Sequence, residues 1–142
     1  MKKLIFFAIA IATVSFGSAQ KVQETEIPTI VKTGLQKQYP TVKNVKWEKE
    51  DGNYEASFKE QQTDYSILLT PKGNIVETEV AISFEALPAP AKDYVHSHFA
   101  NKKIEETTKI TNAKGSVTYE VEVDEKDLIF DKSGKFLAID KD

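Results

Sequence analysis

The chain of 142 residues contains no cysteine and no arginine. Without cysteine, the protein has no thiol nucleophile, no disulfide and no attachment site for a lipoprotein anchor. Without arginine, it lacks the planar side chain that contacts phosphate groups and guanine bases through two parallel hydrogen bonds. We therefore exclude cysteine catalysis and expect no nucleic-acid partner.

Recognisable catalytic and metal-binding motifs are also missing. No serine lies in a Gly-x-Ser-x-Gly elbow. The only histidines are His96 and His98, and at i and i+2 on a helix they point to different sides and cannot grip one metal ion as an i, i+4 pair can. The acidic run 124–127 and the Asp-Lys-Ser-Gly turn at 131–134 do not follow the EF-hand ligand spacing. We therefore predict a protein that is not an enzyme and that has no cofactor and no metal site.

The amino-terminal segment has the pattern of a secretory signal peptide. Two lysines precede an apolar run from Leu4 to Phe16, and the small residues Gly17-Ser18-Ala19 follow it. The run is too short for a comfortable membrane span and has no basic stop-transfer flank. We interpret residues 1–19 as a signal peptide and residues 20–142 as a single domain. This domain should be periplasmic or secreted, without a stable membrane anchor.

The remaining chain contains an internal repeat. The segments 27–39 and 87–99 align so that four apolar residues coincide at spacing i, i+4, which is the stripe of a short amphipathic helix. A proline follows the first residue of each segment, where a helix tolerates it. We expect Leu35 and Val95 to be equivalent core residues at the centres of the two helices. The four matched pairs are Ile27 with Leu87, Val31 with Ala91, Leu35 with Val95, and Tyr39 with Phe99.

After each helix, apolar residues alternate with polar ones at the period of a β-strand. The strands are separated by turns that contain Gly73 in one half and Gly134 in the other. We predict an α+β fold, a tandem repeat of one helix followed by about four antiparallel strands, spanning residues 26–82 and 85–140. The strands should form one long antiparallel sheet with two helices on one face. Residues 20–26 are polar and are expected to be frayed.

Several of these local features recur in a known family. They are the signal peptide, Ile-Pro at 27–28 and Leu-Pro at 87–88, Tyr-Pro at 39–40, Trp-Glu at 47–48, Tyr-Glu at 54–55 and 119–120, and the paired glycine turns. In these features, from about Ile27 to Asp140, the chain resembles the PepSY-like family of small exported proteins, which is described as similar to beta-lactamase-inhibitor proteins. The resemblance implies a tandem helix-plus-sheet fold and a role in binding or inhibiting an extracellular partner. It brings no functional residues to carry over.

Glutamates occupy many strand positions that alternate with the apolar ones. They should project from the side of the sheet that the helices leave uncovered, with Lys46 and Lys59 offsetting part of their charge. We expect them to be solvent-exposed, either as an ordinary wet sheet surface or as a docking face for a basic partner. The candidate binding residues are Glu48, Glu55, Glu77, Glu79, Glu120 and Glu122.

Two functions remain open on the sequence alone. The first is an exported, non-catalytic module that binds an extracytoplasmic protein or peptide, in the manner of an inhibitor. The alternative is a periplasmic carrier that holds an apolar ligand or a metal between the helices and the sheet. A filled core with a broad sheet face would favour the module, and a large apolar pocket would favour the carrier. The acidic series favours a basic partner for the module.

The signal-peptide interpretation predicts cleavage after Ala19, because Gly17 and Ala19 provide the small residues that signal peptidase accepts. Mass spectrometry of the exported protein should detect Gln20, or its cyclised form, at the amino terminus. Recovery of exported protein that still begins with Met1 would contradict this assignment.

Overall fold

The computed structural model describes residues 19–141, so nearly all of the predicted signal peptide lies outside the described part of the chain. The first half contains β1 (Gln20–Val22), α1 (Thr29–Gln38), β2 (Lys46–Glu50), β3 (Asn53–Glu60), β4 (Thr63–Leu69) and β5 (Ile75–Ala81). The second half contains α2 (Ala89–His98), β6 (Ile104–Asn112), β7 (Val117–Val123), β8 (Lys126–Asp131) and β9 (Phe136–Lys141). Short 3-10 helices, Glu24–Glu26 and Phe84–Ala86, precede α1 and α2. Over residues 19–141, neither α-helix has the length and apolar character needed to cross a bilayer.

All nine strands form one antiparallel sheet in which each strand pairs with the next one along the chain. Each half supplies a helix followed by four strands, and β5 pairs with β6 to join the halves. A row of paired residues, Ile67, Thr78, Thr111 and Val117, crosses this junction on one face of the sheet. Both helices therefore cover the same face, and the predicted fold class is confirmed.

Each helix packs on the strands of its own half and forms a separate apolar core. Leu35 and Val95 are both 2% exposed, so the predicted equivalence of these two core positions is confirmed. The first core consists of Ile27, Val31, Leu35, Trp47, Ala56, Phe58, Ile67 and Leu69. The second consists of Leu87, Ala91, Val95, Val121, Val123, Leu128 and Phe130.

The expectation that residues 20–26 are frayed is wrong. Strand β1 pairs with the outer edge of β2, and Val22 lies opposite Trp47 and packs against the first core. In the 3-10 helix that follows, the Gln23 backbone N–H donates to the Glu26 carboxylate over 2.9 Å. The open edge of β2 offers backbone groups that need partners, and one apolar residue is enough to anchor this polar segment there.

The turn between β4 and β5 packs directly against α1. Gly73 has φ +78°, a conformation that glycine adopts without steric cost. A Cβ atom added to Gly34 in α1 would lie 2.1 Å from the Gly73 carbonyl oxygen, so the turn and the helix approach too closely for any side chain. The second half repeats this contact, since Gly134 has φ +87° and packs against Pro88 and Ala91.

This close approach predicts that Gly34→Ala destabilises the protein by about 1–3 kcal/mol, because the turn must shift to admit the methyl group. The change should be harmful even though alanine is the better helix former by about 1 kcal/mol. Urea denaturation measures the effect. Thr33→Ala, at an exposed position of the same helix, is the control and should stay within about 0.5 kcal/mol of wild type. A Gly34→Ala variant as stable as wild type would rule out the contact.

Candidate functional site

The sheet register places all six candidate glutamates on the face opposite the helices. Trp47 and Ala56 face α1, so the residues adjacent to them in the chain, Glu48 and Glu55, face away. Glu48 lies opposite Glu55 on the neighbouring strand. The same alternation holds on later strands for the remaining four, Glu77, Glu79, Glu120 and Glu122.

Six further carboxylates share this face but were not among the predicted binding residues. Glu50 continues the alternation begun by Glu48 and could have been recognised from it. Glu106 follows a register shift after Ile104, which obscures its phase. Asp127 and Asp140 lie opposite each other on β8 and β9. Asp64 lies opposite Lys59, and Asp131 lies opposite Thr118. We call the whole set the acidic face; it comprises Glu48, Glu50, Glu55, Asp64, Glu77, Glu79, Glu106, Glu120, Glu122, Asp127, Asp131 and Asp140.

The expectation that these glutamates are freely solvated is wrong for the central ones. Glu55 is 3% exposed and Glu79 is 5% exposed, although neither lies beneath a helix. Neighbouring strands are about 4.8 Å apart, so side chains in the middle of a broad sheet cover one another from both sides. Ile110 and Ile129 are buried on the same face. The acidic face is therefore a packed surface with partly buried carboxyl groups.

Glu55 and Glu79 are equally buried but differ in their partners. Ser66 donates its hydroxyl to Glu55 over 2.5 Å, and Ser57 does so over 3.5 Å. Glu79 lies opposite Ser66 on one side and Ile110 on the other. The Ser66 hydroxyl is already bonded to Glu55, and Ile110 has no polar side-chain atom. As far as residues 19–141 are concerned, no hydrogen bond or ion pair is made by the Glu79 carboxyl.

Burial and like charges raise the pKa of several carboxyls on the acidic face. Burial raises the pKa of Glu79 to about 9, and the charges of Glu120, Glu77, Glu55 and Glu106 add to the effect. Burial, followed by the charge of Asp127 and its neighbours, raises the pKa of Glu120 to about 8.

Two further carboxyls of the acidic face, one on β2 and one on β5, behave similarly. The pKa values of Glu50 and Glu77 are raised to about 7, chiefly by burial. One carboxyl oxygen of Glu50, Oε2, is buried without a hydrogen-bond partner. Lys46 and Lys59 lie on the same face, as expected, but both are exposed, and Lys59 is 3.4 Å from Asp64. At neutral pH part of the acidic face is therefore protonated, and its negative charge depends on pH.

The two histidines do not form a joint site. His96 contacts the Phe84 ring edge-on with centroids 5.4 Å apart, and His98 stacks on Tyr94 at 4.0 Å. In the described range of the chain, no group of three or more His, Cys, Asp or Glu side chains is arranged to hold a metal ion.

The space between each helix and the sheet is filled by side chains. Val31 of α1 and Ala91 of α2, which point from the helices to the sheet, are completely inaccessible to solvent. An open groove lies instead at the margin where β5 ends and β6 begins, lined in part by Ile82, Phe84 and Ile104. The apolar cavity that a carrier would need is not found between helix and sheet at these positions.

Comparison with known families identifies the class of protein. The family described as "Putative beta-lactamase-inhibitor-like, PepSY-like" matches this chain twice, over residues 16–77 and 65–138. The two matches together span most of the chain and follow its two halves. The protein belongs to this PepSY-like family. A comparison with curated proteins finds no match.

Solved structures from Bacteroides share the fold. A "putative periplasmic" protein of Bacteroides eggerthii is 19% identical, with a TM-score of 0.75 over 80% of this chain and 87% of the other. A DUF2874 family protein of Bacteroides uniformis is 18% identical, with a TM-score of 0.72 over 80% and 88%. A BLIP-like protein of Bacteroides fragilis is 21% identical, with a TM-score of 0.67 over 80% and 84%. At these identities the similarity establishes the fold alone.

The raised pKa values predict that the protein becomes less stable as the pH rises from about 5.5 to 8. Unfolded glutamates lose their protons near pH 4.5, whereas Glu79 and Glu120 keep theirs to about 9 and 8 when folded. The unfolded state therefore binds fewer protons in this window, and each pH unit lowers the free energy of unfolding by up to about 1.4 kcal/mol per carboxyl.

Urea denaturation as a function of pH measures this dependence. Glu79→Gln should flatten the profile and raise the midpoint at about pH 8, because the amide has no proton to lose. Glu24→Gln replaces an exposed carboxylate in the 3-10 helix before α1 and should leave the profile unchanged. A stability that rises between pH 5.5 and 8 in the wild type would refute the assignment.

Proposed function

We propose that this protein is an exported, non-catalytic binding module whose acidic face docks a basic segment of an extracytoplasmic protein. The main support for the proposal is the convergence of twelve carboxylates from eight strands on the sheet face that neither helix covers. A broad surface with one sign of charge attracts a partner of the opposite sign and accelerates its approach.

The filled cores favour this module over a carrier of an apolar ligand or a metal. Ligand sites of carriers are concave and largely enclosed by apolar side chains, whereas the helix–sheet spaces here are occupied by residues such as Leu35 and Val95. The sheet face opposite the helices spans both halves and is wide enough to receive an extended peptide or a protein loop. The family description as beta-lactamase-inhibitor-like also supports a protein partner.

Two observations support export to the periplasm or the exterior. The first is the signal-peptide pattern of residues 1–19. The second is the description of a structural neighbour from Bacteroides eggerthii as periplasmic. A single folded unit of residues 20–142 would then be the working protein.

Surface plasmon resonance tests the docking with a short peptide of alternating lysine and serine, and with the same peptide carrying glutamine in place of lysine. The lysine peptide should bind and the glutamine peptide should not. Binding should weaken as salt rises, because exposed charges more than about 10 Å apart are largely screened at 0.1 M. Glu48→Lys combined with Glu122→Lys, one change in each half, should slow association severalfold.

The matched control reverses the same number of charges away from the acidic face. Glu24→Lys with Glu85→Lys alters exposed residues of the two 3-10 helices that precede α1 and α2. This control has the same net charge as the test variant and should associate with the lysine peptide at nearly the wild-type rate. Equal on-rates for the two double variants would show that only net charge matters and that the acidic face is merely solvated.

A further inference from the structure

Glu79 differs from the other members of the acidic face in its environment. It lies on β5, the strand that joins the two halves, so carboxylates from both halves surround it. It is buried, and neither cross-strand neighbour offers its carboxyl a hydrogen bond. An ionised carboxylate in such a place is strongly disfavoured unless a cation accompanies it.

The charged groups that face Glu79 are almost all acidic. Two lysines share this face: Lys59 on β3, whose ammonium group pairs with Asp64, and Lys46 on β2, three strands from Glu79 in the same cross-strand row. The titratable groups of this face around Glu79 are Glu77 on its own strand, Glu55 and Lys59 on β3, Asp64 on β4, Glu106 on β6, and Glu120 and Glu122 on β7. In the free protein, Glu79 therefore keeps its proton at neutral pH.

We propose that docking of a basic segment on the acidic face displaces the proton of Glu79, whose carboxylate then pairs with an ammonium group of the partner. This inference rests on the proposed function, since it assigns the docking point and its regulation to the same surface. The Glu79 O–H bond breaks, the proton passes to solvent, and the lysine ammonium keeps its own protons. The carboxylate gains the counter-ion that its surroundings do not provide.

The spacing of the acidic face suits several ammonium groups along an extended peptide. Glu120 lies two strands from Glu79 and two residues along the strand direction, which corresponds to roughly 10 Å across and 7 Å along the sheet. Side chains on one side of an extended peptide also recur about every 7 Å. A lysine-rich strand laid along β5 would therefore place ammonium groups near both Glu79 and Glu77, which are two residues apart on that strand.

Proton release makes the affinity depend on pH. Between about pH 7 and the pKa of Glu79, the affinity for a lysine-rich segment should rise by up to tenfold per pH unit for each proton released. The acidic face would thus bind weakly in acidic surroundings and tightly in alkaline ones. Glu55 accepts hydrogen bonds from the hydroxyl groups of Ser57 and Ser66. Because it has these internal partners, it is not expected to account for most of the pH dependence of binding.

Isothermal titration calorimetry in two buffers of different ionisation enthalpy counts the protons released. The mature protein is titrated with the alternating lysine–serine peptide at about pH 7.5, where release of about one proton or more is expected. Glu79→Gln, which has the shape of the protonated carboxyl, should release about one proton fewer and should lose most of the pH dependence of binding. Glu24→Gln should match the wild type.

A carbon-13 NMR titration of the wild type gives a second measure that needs no variant. The pKa of the Glu79 carboxyl should fall when the lysine peptide is present. If the peptide binds but Glu79→Gln releases as many protons as wild type, the coupling is overturned while the docking stands. If the wild type does not bind the lysine peptide, or binds the glutamine peptide equally well, the docking itself is overturned.

Discussion

The continuous register of the nine-stranded antiparallel sheet is the constraint on which the rest of the structure depends. Side chains alternate between the two faces of a strand, so a single register decides which residues meet the helices and which do not. If the pairing of β3 with β4 slipped by one residue, Glu55 would lie opposite Ile67. One of the two strands would then turn its polar side chains toward the helices and its apolar side chains away from them. Because α1 and α2 cover one face only, the register both fills the two cores and gathers the carboxylates.

The two halves position their helices in the same way and are joined by a single strand pairing. In each half a glycine turn packs directly on the helix, with Gly73 against α1 and Gly134 against α2. The pairing of β5 with β6 turns two small sheets into one. Glu79 lies at this junction, where the charges of Glu55 from the first half and Glu120 from the second both act on it. Its unusual environment is therefore a consequence of joining the repeats.

A carboxyl buried among other carboxyls lowers the stability of the folded protein at neutral pH. The remainder of the chain follows ordinary rules, with apolar cores, glycine at positive φ in the turns beside the helices, and exposed lysines. A local departure from those rules in an otherwise consistent structure is typical of functional sites. In this protein the departure is concentrated on the acidic face and is greatest at Glu79, which lacks the hydroxyl donors that Ser66 and Ser57 provide to Glu55.

The sequence by itself determined the two helices, the four strands that follow each helix, the equivalence of Leu35 and Val95, and the side of the sheet on which Glu48 and Glu120 lie. These features follow from the local periodicity of apolar residues, which can be read from the sequence without knowing which residues meet in the folded protein. The anchoring of β1, the inclusion of Glu106 after its register shift and the burial of Glu79 were decided only by the tertiary structure. Each of them depends on which side chains neighbouring strands bring alongside, and that pairing joins residues distant in sequence.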